Sequence, residues 1–586
     1  MLTSITFQGK ILSLMCISKT SVLVAGFRTM LHVQHCCKRM RRTTLSATLL
    51  LASCKRQSRV AFSASSSVQA PDDGKCFVTT PIFYVNAAPH LGHLYSAIIA
   101  DAIQRYKKMR GATATIFSTG TDEHGLKIQQ ATKQLRVPPL DFCSDNSKKF
   151  RDLFDAFNIN YTHFIRTTNN DHIAAVQEFF NVLISKDFIY KGEYTGWYCV
   201  SDEAFLTESQ VTEKKTVDGV IKVSAESGHV VEWSSETNYK FKLSLLEDDL
   251  KHWLKCDNRV KPKRFLYDLR NTVDRGLMDL SVSRPKERVS WGVPLPNDPE
   301  HTVYVWVDAL VNYLTAAGYP SIPSVWPANV HVLGKDILHF HGVIWPALLI
   351  AAGLEPPEQL LVHSHWTVDG VKMSKSLGNV ICPNELKDTI TAEGVRYLLL
   401  RQGTPHADGS WRTKEGVSML NADLANGLGN LVHRCTGKSL NKDQVFPPLC
   451  QDFVESSTHA QMLTKTMKTV KEDVANCYDD YNFYLGIDRI MHLVHCANLM
   501  VQEEKPWTLK DKPEELNSVL HLALSAGRAA ALMLLPIVPT YATRLLDTLA
   551  VPQRDRTWSQ IEAFPNASHT SVPLGQRIAP FKKINV

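Results

Sequence analysis

The chain has 586 residues, length for three or four domain-sized units, with 44% hydrophobic and 21% charged residues. This is globular composition, which excludes a disordered, collagenous or small disulfide-framework protein, and apolar runs such as residues 529–538 are too short to span a bilayer, so no membrane partner is expected. The net charge of +7 is unevenly placed: residues 1–70 hold ten Lys or Arg and no acid, leaving 55 bases against 58 acids beyond them.

That opening stretch, rich in Arg, Ser and Thr, reads as a mitochondrial transit peptide over residues 1–70. Its rivals are a disordered basic tail and a secretory signal, but the bases lie mostly after the apolar run 11–17 rather than before it. The 13 cysteines include no Cys-x-x-Cys pair, which argues against both a disulfide framework and a zinc knuckle.

Residues 76–80 read as a buried strand broken by Pro81. Residues 91–110 then read as a helix, with Leu94, Ile98, Ala102 and Tyr106 on its buried face and Gly111 ending it. Residues 112–118 form a second strand, and Gly120-Thr-Asp-Glu-His-Gly125 opens another helix. Strand, helix and strand in succession begin a parallel α/β sheet, whose ligands sit at the carboxyl ends of the strands. Further strands are expected at 303–307, 330–333 and 360–363, with a helix from Gly334 to about Gly353. Residues 185–298 differ: short aromatic and Gly-containing runs suggest a small β-containing insertion. Beyond Trp411 the chain turns helical, with Val417, Leu420, Leu424, Leu428 and Leu431 on one face and a long apolar helix over 516–535. The fold class is therefore α/β, a Rossmann-type parallel sheet with an insertion and a following helical bundle.

Two constellations carry chemistry. Pro89-His90-Leu91-Gly92-His93 sits where the first strand meets its helix, and a helix N-terminus offers N–H groups and a positive dipole end to phosphate. His90 and His93 add donors and Gly92 permits close approach, although two histidines at a helix start also serve as caps or core. Lys372-Met-Ser-Lys-Ser376 follows 282 residues later, and two lysines on a loop suit a departing pyrophosphate. A solvated basic loop is the plain reading of that segment alone.

Together these motifs resemble the signatures of the class I aminoacyl-tRNA synthetases. Thr80-Pro-Ile-Phe-Tyr-Val-Asn86, Gly120 to Gly125, Tyr304-Val-Trp-Val-Asp-Ala309 and Gly334-Lys-Asp-Ile337 with Phe340-His341 resemble the methionyl-tRNA synthetases, mitochondrial in view of the leader. The resemblance implies a methionine pocket of Ile82, Tyr84, Asp122, Trp306, Tyr313, Ile337 and His341. Asp122 would hold the α-ammonium, Trp306 and Tyr84 would give polarizable walls, and the Tyr84 hydroxyl and a His341 nitrogen would donate weakly to sulfur. His90, Gly92, His93, Lys372, Ser374, Lys375 and Ser376 would bind ATP, with Mg²⁺ accompanying it. Many relatives hold zinc on cysteine knuckles in the insertion; here Tyr194-Thr-Gly-Trp-Tyr-Cys-Val-Ser-Asp202 offers only Cys199, so no structural metal is expected.

Asn426, Asn430 and Arg434 follow at i, i+4 and i+8, a polar line beside the leucine face, and Pro506-Trp507 opens a later helix. The resemblance implies that Asn430, Arg434 and Trp507 contact a tRNA anticodon, the alternative being a solvated stripe and a core tryptophan. Residues 413–586 carry 18 bases and 18 acids, so tRNA affinity must come from local patches. The expected organisation is a leader over 1–70, a catalytic domain over 71–184 and 299–378, an insertion over 185–298, a linker or stem-contact region over 379–412 and an anticodon-binding bundle over 413–586. Methionine, ATP and methionine tRNA are the expected partners, in the mitochondrial matrix, for a monomer. A cysteinyl-type synthetase would need zinc-binding cysteines, a non-catalytic tRNA-binding relative would not need both signatures, and a nucleotidyltransferase would leave the bundle unexplained.

Overall fold

The structure is a computed structural model that describes residues 74–200, 204–206, 208–216, 219–225, 227–321, 325–368, 370–373, 379–561, 571–577 and 581–585. The whole of the basic leader, together with Ser374, Lys375, Ser376 and the side chain of Lys372, lies outside the described residues.

Continuous apolar runs form the central strands because both faces of the sheet are covered. Lys75–Thr79 pairs in parallel with Ala114–Asp122 on one side and with Val330–Gly334 on the other. Gln359–His363 extends the sheet beyond Val330–Gly334, and His163–Arg166 and Phe83–Tyr84 both pair with Ala114–Asp122. Phe77, Val78, Phe117, Val332 and Leu360 are fully buried. The Leu91–Met109 helix packs on this sheet through Leu94, Ile98, Ala102 and Tyr106, as its spacing requires.

Three expectations need correction. The strand Ala114–Asp122 continues through Gly120, and the next helix starts only at Leu126, with Gly125 as its cap at φ 103°. Gly120 cannot be another residue there, since a Cβ would lie 1.9 Å from the Ile165 carbonyl oxygen of the adjacent strand. Residues 303–307 are not a strand: Asp298–Val303 ends an antiparallel pairing, and Val305–Ala316 is a helix buried along most of its length. Within 185–298, the antiparallel sheet centres on Ile189–Cys199 and Glu232–Phe241, but Val260–Lys261 returns to the parallel sheet beside Gln359–His363.

The helical region begins with Thr413–Leu420, Asn421–Gly429 and Asn430–Cys435, and its long helices include Thr458–Asp479, Phe483–Glu504 and Pro513–Leu534. Val417, Leu420, Leu424, Leu428 and Leu431 are all buried, as expected. The Asn421–Gly429 segment is π-helical, however, so Asn426 does not keep the α-helical phase of Asn430 and Arg434. Among the described residues no helix is long and apolar enough to cross a membrane.

One buried ion pair joins the sheet helix to the bundle. Arg396, in the Ala392–Gln402 helix, donates to Asp101 of Leu91–Met109 at 2.6 Å, and both side chains are fully buried. Its other donors reach the carbonyls of Phe157, Pro536 and Ile537. Arg396→Met should therefore leave a buried carboxylate short of its partner and lower the unfolding free energy by about 3–5 kcal/mol. Replacing Lys148 of the exposed Lys148–Asp152 pair should change it by less than about 1 kcal/mol. Denaturant titration of the two variants checks the difference.

Candidate active site

The histidine pair sits at the start of Leu91–Met109 as a reciprocal cap. His90 Nδ1 accepts the Gly92 N–H at 3.1 Å, and His93 Nδ1 accepts the His90 N–H at 3.2 Å. With each Nδ1 accepting, the neutral rings carry their protons on Nε2. The rings stack at 3.7 Å, and His93 also lies 5.0 Å from Phe83 and 5.2 Å from Phe150. A Cβ at Gly92 would meet the His90 ring at 3.0 Å, so glycine here serves the folded-back cap. The cap reading of the pair is thus seen in the structure.

The carboxyl ends of the parallel strands gather the other residues. Tyr84 and Asp122 are register partners on neighbouring strands, and Asp122 Oδ1 is buried. Lys127 places its ammonium 5.5 Å from the centre of the Tyr84 ring. Ile82 is buried just beyond Lys75–Thr79. Trp306, in the first turn of Val305–Ala316, lies flat on Phe340 with ring centres 3.7 Å apart. Tyr313, two turns further along, reaches His341 Nε2 at 2.7 Å.

His341 corrects an expectation. Its Nδ1 lies 2.9 Å from the Ile337 carbonyl, which can only accept, so the proton is on Nδ1 and Nε2 accepts the Tyr313 hydroxyl. Both nitrogens are engaged within the protein, and His341 has no donor left for sulfur. Burial pushes its pKa down to about 4, so the ring is neutral at physiological pH.

Residues outside the expected set bind the two walls together. Asp308, one turn after Val305, is buried between His124 Nδ1 at 2.7 Å and His172 Nε2 at 2.8 Å. Although burial opposes its charge, the two histidines hold its pKa down at about 2. His124 is two residues from Asp122 and Asp308 two from Trp306, so this contact fixes the Asp122 loop against the Trp306 helix. Glu123 is held by Arg166 at 2.7 and 2.9 Å and by Thr121 and Thr168. Arg284 is buried beneath this region, its guanidinium 4.3 Å from the Tyr304 ring centre. Phe340 stood beside His341 in a recognised motif and could have been selected from it. Asp308 and His124 likewise stood within recognised motifs, Tyr304–Ala309 and Gly120–Gly125, whereas His172 and Arg284 lay outside every motif and gave no local signal, the Asp308 partner of His172 being 136 residues away.

Lys372 lies on a short hairpin in which Trp366–Val368 pairs with Val371–Lys372, and Gly370 turns it at φ 77°. Cys199 is buried at the end of Ile189–Cys199, and among the described residues no three His, Cys, Asp or Glu side chains gather in metal-ligating range. In the bundle, the Arg434 guanidinium lies 5.5 Å from the Trp507 ring centre. Trp507 is 43% exposed, so the core alternative does not hold for it. Asn430 is exposed one helical turn before Arg434.

A family model described as tRNA synthetases class I (M) matches residues 76–436. The chain belongs to that family. It is similar to the Homo sapiens mitochondrial methionine–tRNA ligase, 43% identical over 542 residues that cover 88% of this chain and 91% of that one. The Xenopus laevis mitochondrial methionine–tRNA ligase is 47% identical over 488 residues, covering 82% and 86%. Among solved structures, Mycobacterium tuberculosis methionyl-tRNA synthetase in complex with methionyl-adenylate superposes with a TM-score of 0.81 at 35% identity, covering 86% of this chain and 99% of that one.

The site makes a measurable demand on stability in acid. His363, at the end of Gln359–His363, is buried against the Ser96 hydroxyl at 2.7 Å, and burial lowers its pKa to about 4 from 6.5. The unfolded chain thus takes up a proton that the folded chain refuses, so the stabilisation is complete above pH 6.5 and falls as pH drops towards 4. His363→Asn should reduce the slope of unfolding free energy against pH in that window by about 1.4 kcal/mol per unit. Denaturant titrations between pH 7 and 4 measure it.

Proposed function

We infer that this synthetase joins methionine to methionine tRNA in two steps. The methionine carboxylate attacks the α-phosphorus of ATP, giving methionyl-adenylate and pyrophosphate. A hydroxyl of the tRNA 3′-terminal adenosine then attacks the activated carbonyl, and AMP leaves. The observation that carries this reading is the reciprocal histidine cap. It holds two Nε2–H donors at the positive end of the Leu91–Met109 helix, beside the strand ends where a nucleotide binds in such sheets.

Each group has a role consistent with its environment. Asp122 receives the methionine α-ammonium, and Trp306, Ile82, Tyr84 and Ile337 wall the thioether, with Tyr313 and His341 beneath it. His90 and His93 donate to the α-phosphoryl oxygens as charge moves onto them, while Gly92 keeps the cap folded. Lys372 and Lys375, with Ser374 and Ser376, receive the departing pyrophosphate, and Mg²⁺ enters with the nucleotide as part of the substrate. Little covalent work falls on the protein; positioning and fixed charge lower the barrier. The single cysteine, Cys199, in the segment Tyr194–Asp202 and the absence of any Cys-x-x-Cys pair in the sequence support a zinc-free insertion.

Binding of tRNA is divided along the chain. The proposed division is a leader over 1–70, a catalytic domain over 71–184 and 299–378 interrupted by 185–298, from which Val260–Lys261 returns to the catalytic sheet, a stem-contact region over 379–412 and an anticodon-binding bundle over 413–586. The acid-free leader and the mitochondrial relatives support action in the mitochondrial matrix.

Two variants test the two ends. Lys375→Ala should lower kcat for methionine-dependent ATP–pyrophosphate exchange by about two to three orders of magnitude with methionine affinity little changed, because pyrophosphate charge develops only as the bond breaks. Unaltered exchange would remove Lys375 from the mechanism. Trp507→Ala should leave exchange and melting temperature near normal while tRNA charging falls about 5- to 150-fold, the loss of one base–aromatic stack of about 1–3 kcal/mol. Equal loss of both activities would contradict anticodon stacking.

A further inference from the structure

The helical region carries its positive charge unevenly. After Glu562 the sequence holds no acid and three bases, Arg577, Lys582 and Lys583, which leaves 15 bases against 18 acids over 413–562. All three are exposed, and no ion pair among the described residues engages them. Carboxylates on the elements that this segment crosses are committed elsewhere. Asp423 meets Tyr397 and Arg401, Asp547 meets Arg556, and Glu393 accepts the Tyr541 N–H.

A basic terminal stretch is ordinarily a solvated tail, but this one is tied to the bundle along its length. The Ser571 N–H bonds the Phe446 carbonyl, and the Phe446 N–H bonds the Val572 carbonyl. Gly575 reaches the Thr548 carbonyl at 3.0 Å, so close to the end of the Pro539–Thr548 helix that a Cβ would lie 2.0 Å from the Asp547 carbonyl oxygen. Arg577 then donates to the His433 carbonyl at 2.7 Å, one residue before Arg434. Further on, Phe581 meets the Tyr541 ring edge-on and approaches Gly394 of the Ala392–Gln402 helix. Asn421 exchanges two hydrogen bonds with the Ile584 backbone, at 2.8 and 2.9 Å. Because Asn421 and His433 stand near opposite ends of one run of helix over 421–435, the anchors lead from the Arg434–Trp507 pair to the helix that pairs with Asp101.

We propose that Arg577, Lys582 and Lys583 form a phosphate seam for tRNA, holding its backbone between the anticodon end and the catalytic domain. This rests on the tRNA reading given above. Phosphate contacts position a nucleic acid without reading its bases, so the seam supplies affinity and register rather than identity. Each neutralised phosphate releases counterions, which makes the contribution dependent on salt. The anchors fix the seam before tRNA arrives, so binding does not have to order it.

The test titrates a methionine tRNA transcript by filter binding across a range of salt, alongside charging, ATP–pyrophosphate exchange and melting temperature. Lys582→Gln with Lys583→Gln removes two charges from exposed positions while the anchoring bonds stay with their neighbours. The pair should weaken tRNA binding at least about tenfold at 0.1 M salt and make the slope of log affinity against log salt shallower by about 1.4–1.8. Exchange without tRNA, kcat for charging and melting temperature should stay within about twofold or unshifted. Lys583→Gln alone should give about half the slope change, and Lys582→Arg with Lys583→Arg should bind as the wild type does. Lys148→Gln, which removes an exposed charge far along the chain in the catalytic domain, should leave the slope unchanged. An unchanged slope in the double glutamine variant, the same loss in the arginine pair, or an equal slope change in Lys148→Gln overturns the proposal. If the double variant does not fold, an unchanged slope in Lys583→Gln overturns it. A wild-type chain that does not bind the transcript overturns the tRNA reading itself, before any variant is compared.

Discussion

The Asp101–Arg396 pair is the constraint on which the arrangement of the two ends depends. Asp101 lies ten residues after Leu91 in the helix that begins with the histidine cap, and it also receives Arg105 Nε at 2.7 Å and the Asn160 N–H at 2.8 Å. Arg396 spreads its donors over Asp101 and the carbonyls of Phe157, Pro536 and Ile537. Two desolvated charges are a poor source of stability compared with hydrophobic residues of the same volume. What they supply is selectivity, because any other docking of the bundle on the sheet helix strands one charge in the core. The Ala392–Gln402 helix makes a second, partly exposed tie: Tyr397 donates to Asp423 at 2.7 Å, and Arg401 meets Asp488 at 2.6 Å. The spacing between the histidine cap and the Arg434–Trp507 pair is thereby held chiefly by the buried Asp101–Arg396 contact, which has few alternatives.

Much of this was legible from local pattern. The Leu91–Met109 helix and its buried face followed from i, i+4 spacing, and the leucine face beyond Trp411 followed from the same rule. The misread segment was Val303-Tyr-Val-Trp-Val307, whose alternating β-branched and aromatic residues carry a strand's composition. Tertiary contacts overrode it. The antiparallel partner of Val303 is Ser283, the pairing ends there, and Asp308 is drawn inward by His124 and His172, which a strand could not arrange with Trp306 against Phe340. The two-residue strand Val260–Lys261 was illegible for a simpler reason: two residues hold no period.

The candidate site was legible as residue types and illegible as chemistry. Its members could be named from short motifs, but their protonation is set by partners far along the chain. His341 lost its assumed donor role because Tyr313 lies 28 residues away in sequence and occupies its Nε2. The histidine cap is the opposite case. His90 and His93 are three apart, so one local geometry fixes both rings and both tautomers at once.

The two π-helical stretches show why the remaining geometry escaped pattern reading. Phe340–Ile344 and Asn421–Gly429 each widen a helix by an extra residue per turn, and such turns are retained mainly where a side chain must be re-aimed. In the first, the Trp345 N–H bonds the Phe340 carbonyl five residues back, and the turn it closes contains His341, whose imidazole reaches Ile337 and Tyr313. In the second, the Asn430 N–H bonds the Ala425 carbonyl, just before Asn430 and Arg434 resume α-helical spacing. Gly427 permits that turn, since a Cβ would lie 2.9 Å from the Ala422 carbonyl oxygen. A search for 3.6-residue periodicity averages across such an insertion and returns a straight helix. The leucine face survives the averaging, because burial tolerates a phase error. A hydrogen bond does not, so the departures from regular helix fall on the residues whose direction decides their chemistry.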